Sequence, residues 1–208
     1  AIHVLRGGVR WPASAQAAHA ERDLCLLTVP GLVAPVARLG SAGSLAIGQM
    51  LSALGYTGGL GIQSSDGEVI ELHRHDGGHV IQSSNWFSSG ASGGGLFDES
   101  GGLVGILTFR LRGGETHYFA APVEWVRQLI GERRRDHFAR VLPLDTRQQP
   151  YWQRASSAQP RFLRAAVMQR DARWGELALL AHDWLRSDAD DAEPWHLLGT
   201  ALEQLDRT

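Results

Sequence analysis

Residues 90–107 read Gly90-Ala91-Ser92-Gly93-Gly94-Gly95-Leu96-Phe97-Asp98-Glu99-Ser100-Gly101-Gly102-Leu103-Val104-Gly105-Ile106-Leu107. A hydroxyl stands between glycines, where the backbone is free to bend tightly. A serine hydroxyl is a weak nucleophile at neutral pH; it needs a base for its proton and donors for the oxyanion that forms. A tight bend at Ser92 would turn the amides of Gly90 and Ser92 toward one point, as an oxyanion hole requires. One chemistry that uses Gly-x-Ser-x-Gly is the nucleophile elbow, which demands a helix directly after the serine. Here three glycines, the run Leu96–Asp98, a Ser100-Gly101-Gly102 turn and the run Leu103–Thr108 follow, which predicts a hairpin. A plain Gly/Ser-rich turn with no chemistry is the competing reading of the string alone.

Outward from this stretch, short apolar runs recur on both sides: Ile2–Leu5, Leu24–Val29, Leu51–Leu54, Val69–Leu72, His79–Gln82 and Tyr118–Val123. Turns at Gly7-Gly8, Gly58-Gly59, Gly77-Gly78, Gly101-Gly102 and Gly113-Gly114 separate them. Short strands at such spacing predict an antiparallel barrel or sandwich. Residues 124–135 then show helical spacing through Trp125, Leu129 and Ile130, with Arg133 to Arg135 where cations suit the helix dipole.

Residues 136–158 are expected to be a linker: Pro, Gln, Ser and Arg dominate 141–158, with Pro143 and Pro150 inside and Pro160 just after. Beyond it the periodicity predicts helices over Arg161–Gln169, Ala172–Ser187 and Pro194–Leu205. Trp195-His196-Leu197-Leu198-Gly199-Thr200-Ala201-Leu202 resembles the opening of a tetratricopeptide helix. One period of about 34 residues earlier, Pro160, Leu163, Ala165 and Met168 match Pro194, Leu197, Gly199 and Leu202, while Arg161 and Arg164 do not match Trp195 and Leu198. Residues 159–208 thus resemble about one and a half tetratricopeptide repeats, and the repeat pattern implies a continuation past Thr208.

The second anchor is Glu21-Arg22-Asp23-Leu24-Cys25-Leu26-Leu27, an aspartate opening an apolar strand. Together with the serine string, residues 1–132 resemble the trypsin-like peptidases, the HtrA (DegP-like) branch in particular. That branch has a strand of the Asp-Leu-Ala-Leu-Leu type, a Gly-Asn-Ser-Gly-Gly-Pro-Leu loop and a hairpin ending Gly-Ile. Here Asp23–Leu27, Gly90–Leu96 and Gly102–Ile106 take those places, and Tyr118–Val123 is similar to the strand entering the closing helix. Ala91 and Gly95 depart from the usual Asn and Pro. The resemblance implies a mainly β trypsin-like double β-barrel with its first barrel incomplete (residues 1–135), followed by the small all-α segment (159–208). It implies Ser92 as nucleophile, Asp23 as the carboxylate that orients the base, and Gly90 and Ser92 as oxyanion donors.

The base itself is missing from the pattern. In the family the histidine lies several tens of residues before the aspartate, whereas 22 residues precede Asp23, and they match the strands between the two. On that register His3 is a strand residue; neither His3 nor His19 takes the place of the base. An upstream truncation, or an N-terminal segment cut but still bound, would account for this. The primary specificity pocket is expected around Trp86, Phe87 and Thr108. With no acid there, a small or apolar substrate residue is favoured over Arg or Lys.

Other features add limits rather than roles. His73, His75 and His79 are spaced for a metal, but Asp76-Gly77-Gly78 reads as the turn of a solvated hairpin. Cys25, the single cysteine, reads as a small buried hydrophobe. The net charge of −2 gives no basic face for nucleic acid, and all 20 cationic side chains are Arg, a trait of codon usage. No cofactor motif and no apolar run of membrane-spanning length occurs. The first residues show neither a signal-peptide core nor an initiator Met, as a processed or recombinant start would. The expected function is a serine endopeptidase with a Ser-His-Asp mechanism acting on polypeptides, joined to a protein-binding helical repeat. The alternative is an inactive pseudoprotease that serves as a binding scaffold. The resemblance favours a bacterial periplasmic or secreted address.

Overall fold

The computed structural model describes residues 2–58, 61–113, 117–133, 139–140 and 149–206. The expected turns at Gly58-Gly59 and Gly113-Gly114 lie partly, and residues 141–148 of the expected linker wholly, outside the described residues.

Strand alternation builds the centre of the molecule. Strands β1 (His3–Arg6) and β2 (Val9–Pro12) pair as a two-stranded ribbon, and β3 (Ala15–His19) and β4 (Leu24–Thr28) follow. The next six are β5 (Met50–Tyr56), β6 (Ile62–His75), β7 (Gly78–Ser83), β8 (Gly95–Asp98), β9 (Leu103–Arg110) and β10 (Tyr118–Pro122). They close an antiparallel barrel in the order β10-β7-β6-β5-β8-β9, with β9 pairing back onto β10. Every second side chain points inward: Leu51, Ala53, Val69, Ile81, Leu96, Leu107, Tyr118 and Ala120 form the barrel interior. Asp76 and Gly77 make the two-residue turn between β6 and β7, both with positive φ, so that His75 faces Gly78 across the hairpin. The expected hairpin after Ser92 is there as β8 and β9.

The alternate residues on β7, β9 and β10 belong to a second core. Val80, Phe109, Phe119 and Ala121 face outward and are covered by the helices, which explains why β10 is buried along its whole length. Helix α1 (Val123–Arg133) contributes Trp125 and Leu129; α2 (Arg161–Arg170) contributes Phe162, Leu163, Ala165 and Ala166. Helix α3 (Trp174–Ser187) adds Leu177, Leu180, Ala181 and Trp184, and α4 (Ala192–Asp206) adds Leu197 and Ala201. Asp191 Oδ1 accepts from the Glu193 amide at 3.1 Å and so caps α4, which starts a little before the expected Pro194.

Outside the barrel, β4 pairs with β3, and β3 with the short β11 (Ala139–Arg140), in a three-stranded sheet. One closed barrel beside an open partial sheet fits the expected double barrel with its first half incomplete. Three local expectations change. The segment read as a linker supplies β11 and the fully buried Tyr151, whose ring fills space between the barrel and α2. Cys25 is exposed, because β4 turns Leu24 into the core and the next side chain away from it. His73 is buried rather than solvated, because α2 and α4 cover its face of the hairpin: its ring stacks on Phe162 and lies between Glu193 and Gln82.

Candidate active site

Ser92 sits on the loop joining β7 to β8, and close backbone approaches shape that loop. Gly90 has φ +98, and a Cβ there would lie 2.6 Å from the Tyr56 carbonyl; a Cβ on Gly94 would lie 2.3 Å from the Leu54 carbonyl. Ala91 is buried and packs so closely on Gly55 that a Cβ at 55 would fall 2.7 Å from its own. The Ala91 methyl is thus matched by a glycine on β5. Gly93 donates to Leu107 O at 2.8 Å, and Gly94 donates to Ala91 O at 2.8 Å, tying the bend to β9. The Ser92 side chain is exposed, and its hydroxyl donates to Thr108 O at 3.0 Å. Among the described residues, no acceptor takes the amide of Gly90 or of Ser92.

Asp23 lies in the turn between β3 and β4 with φ 56, a left-handed conformation that aspartate tolerates. Its amide donates to Ala20 O, and its Oδ2 accepts from Trp152 Nε1 at 3.2 Å. Burial of the carboxyl raises its pKa, and the Trp152 hydrogen bond opposes that rise. Asp23 and Ser92 line the same cleft of about 390 Å³, together with Cys25, Ile106, Leu107 and Val126. The cleft therefore runs between the partial sheet and the closed barrel. No histidine is among the described residues that line it. His3 faces Pro12 on the ribbon, and His19 Nδ1 accepts the Arg22 amide at 3.3 Å.

The three expected pocket residues separate. Trp86 is 53% exposed, with its amide on Ser65 Oγ, while Phe87 is buried against Tyr118 at 5.1 Å between ring centroids. Thr108 is buried; its hydroxyl donates to Phe119 O, and its carbonyl accepts the Ser92 hydroxyl. Neither Trp86 nor Phe87 lines the cleft that Asp23 and Ser92 share. Two residues near the candidate site carry no sequence motif: Gly55, whose missing side chain admits Ala91, and Trp152, which reaches Asp23 from 129 positions away.

Solved structures of similar architecture include HtrA-type and other proteases. The HtrA-type protease AlgW with a decapeptide superposes with a TM-score of 0.57 at 25% identity, covering 64% of this chain and 43% of that one. A serine endoprotease from Yersinia pestis gives 0.56 at 24% identity, covering 64% and 47%. The Rv3671c protease of M. tuberculosis in its active form gives 0.58 at 20% identity, covering 69% and 66%. The chain spans less than half the length of the AlgW structure. No curated protein matches it by sequence. The family model of the trypsin-like peptidase domain matches residues 2–106, about half of the chain and the part that holds Asp23, Ser92 and the glycine-framed loop. By that match and by its barrel, the chain belongs to the trypsin-like peptidase domain family.

Proposed function

We propose that this chain carries the nucleophile and the orienting carboxylate of a serine endopeptidase. The observation that carries the reading is that Ser92 and Asp23, 69 positions apart, line one cleft, while the amides of Gly90 and Ser92 meet no acceptor among the described residues. Ser92 Oγ attacks the scissile carbonyl carbon while an imidazole takes its proton. The oxyanion is held by the Gly90 and Ser92 amides, and the imidazolium, steadied by Asp23, returns the proton to the leaving amine. The reading requires that imidazole to enter the cleft between Asp23 and Ser92. A polypeptide is the substrate class, as the decapeptide in the AlgW structure supports. The helices of 159–208 then serve as a module for a protein partner, on the strength of their tetratricopeptide resemblance.

A fluorophosphonate probe tests this. Covalent labelling at Ser92, lost in Ser92→Ala, is the expected result; a folded parent protein that is never labelled overturns it.

One observation favours a second reading, the binding scaffold. The Ser92 hydroxyl already donates to Thr108 O, and the described cleft offers it no base. A chain that binds peptides without labelling or cleavage would be that scaffold.

A further inference from the structure

The chain between the barrel and α2 returns to the candidate site. Tyr151 donates its amide to Glu21 O at 3.0 Å, and Arg154 pairs with the Glu21 carboxylate at 2.7 Å. Between them, the Trp152 ring stacks on Phe109 at 4.9 Å between centroids with planes 13° apart. Phe109 directly follows Thr108, the residue whose carbonyl accepts the Ser92 hydroxyl. From that platform Trp152 gives its indole N–H to Asp23 Oδ2, and its own carbonyl accepts from Gln159 Nε2 at 3.0 Å just before α2. A single ring thus touches the strand behind the serine and the carboxylate across the cleft.

The chemistry of that contact is specific. A carboxylate that steadies an imidazolium must stay ionised and keep one oxygen turned to the ring. Burial works against ionisation at Asp23. A hydrogen bond donated to the charged form works for it. Trp152 donates to Oδ2 alone, and among the described residues no donor reaches Oδ1. The indole therefore fixes the rotation of the carboxylate and leaves the other oxygen for the imidazole.

We propose that Trp152 is the positioning residue of this peptidase: its N–H, held in place by Phe109, binds one oxygen of the Asp23 carboxylate and aims the other into the cleft. The catalytic part of this inference rests on the proposed role of Asp23; the contact itself does not. It makes the segment leading into the helices part of the site.

The test uses the full chain with Trp152→Phe, which keeps a ring on Phe109 and removes the donor. A second variant carries benzothienylalanine at 152, an isosteric ring without the N–H, in case Phe disturbs packing. The Asp23 carboxyl is titrated by carbon-13 NMR. In both variants its midpoint is expected to rise by about half a pH unit or more, the size of one lost hydrogen bond. Peptide hydrolysis is expected to show kcat reduced about tenfold with KM unchanged, and the acid limb of the pH profile displaced the same way. An unchanged midpoint in both variants overturns the proposal, as does a raised midpoint with kcat and the pH profile intact. If the parent protein never labels with fluorophosphonate, the peptidase reading fails and with it the catalytic role of Trp152. The midpoint then still decides whether the indole sets the state of Asp23.

Discussion

Glu193, in the first turn of the last helix, places its carboxylate 2.7 Å from His73 Nδ1 on the longest barrel strand. Gln82 Oε1 lies 2.9 Å from the other ring nitrogen, so both nitrogens face oxygen atoms. Both side chains of the pair are almost fully buried. Removing one partner of such a pair strands the other without water, at a cost of about 3–5 kcal/mol. Glu193→Ala is expected to lower the urea midpoint accordingly. Replacing both members with apolar side chains, His73→Phe with Glu193→Leu, is expected to recover most of that loss. Equilibrium urea unfolding of the parent and the two variants checks both.

Phe162 of α2 touches the rings of His73, His75, Phe119 and Tyr151. Truncating a buried phenylalanine costs about 3–5 kcal/mol. Because those partners lie on the barrel and the intervening segment while Phe162 belongs to the helix, Phe162→Ala is expected to weaken all three together. Far-ultraviolet ellipticity, which reports the helices, and hydrogen-exchange protection of the barrel strands, followed through the same urea series, should shift to the same lower midpoint. Separate transitions would show that the helices unfold apart from the barrel.

His75 lies against Trp125, Tyr151 and Phe162. Burial pushes its pKa down, and the carboxylates of Asp76 and Glu21 offset only part of that. The folded state therefore prefers the neutral ring. Below the usual histidine value of about 6.5 the unfolded chain takes up a proton that folded His75 resists. Its contribution is complete above that pH and declines as the pH falls through it toward the lower folded value. Melting temperatures from pH 8 to pH 5 should fall less steeply in His75→Phe than in the parent.

The serine loop depends on where glycine stands. A methyl on Gly94 would meet two backbone carbonyls, of Leu54 at 2.3 Å and of Ala91 at 2.8 Å, neither of which can rotate away. Gly94→Ala is expected to displace the loop, cost about 2 kcal/mol or more and abolish fluorophosphonate labelling. Gly131 in α1 faces open space: a methyl there would have nothing within 4 Å, and alanine removes a helix penalty of about 1 kcal/mol. Gly131→Ala should match or exceed the parent in stability and label equally well.

What could be read in advance follows the range of the forces involved. Strands β7, β9 and β10 announce themselves as apolar runs because they are covered on both faces. The bend at Ser92 is readable because its glycines are local demands of the backbone. Strand β3, Ala15-Gln16-Ala17-Ala18-His19, has no β-branched residue and is extended only because β4 and β11 flank it. Strand β6 begins at Ile62, far earlier than its apolar run, because the polar stretch from Gln63 to Asp66 pairs with β5 along its full length. His73 looks like a hairpin histidine until α4 brings Glu193 over it from 120 positions away. Asp23 is identifiable through its family motif, while its indole donor is not, since Tyr151-Trp152 stands in a Pro- and Gln-rich stretch that reads as loop.

The two cores share a wall, and that wall is one strand thick. Tyr118 and Ala120 look into the barrel, while Phe119 and Ala121 between them look out to the helices. A relative that exchanged the tail for a different appendage would have to re-cover Val80, Phe109 and Phe119 or else redraw the outer face of its own barrel. The appendage and the peptidase fold are thus bound to change in step, as halves of one inheritance rather than as interchangeable cassettes.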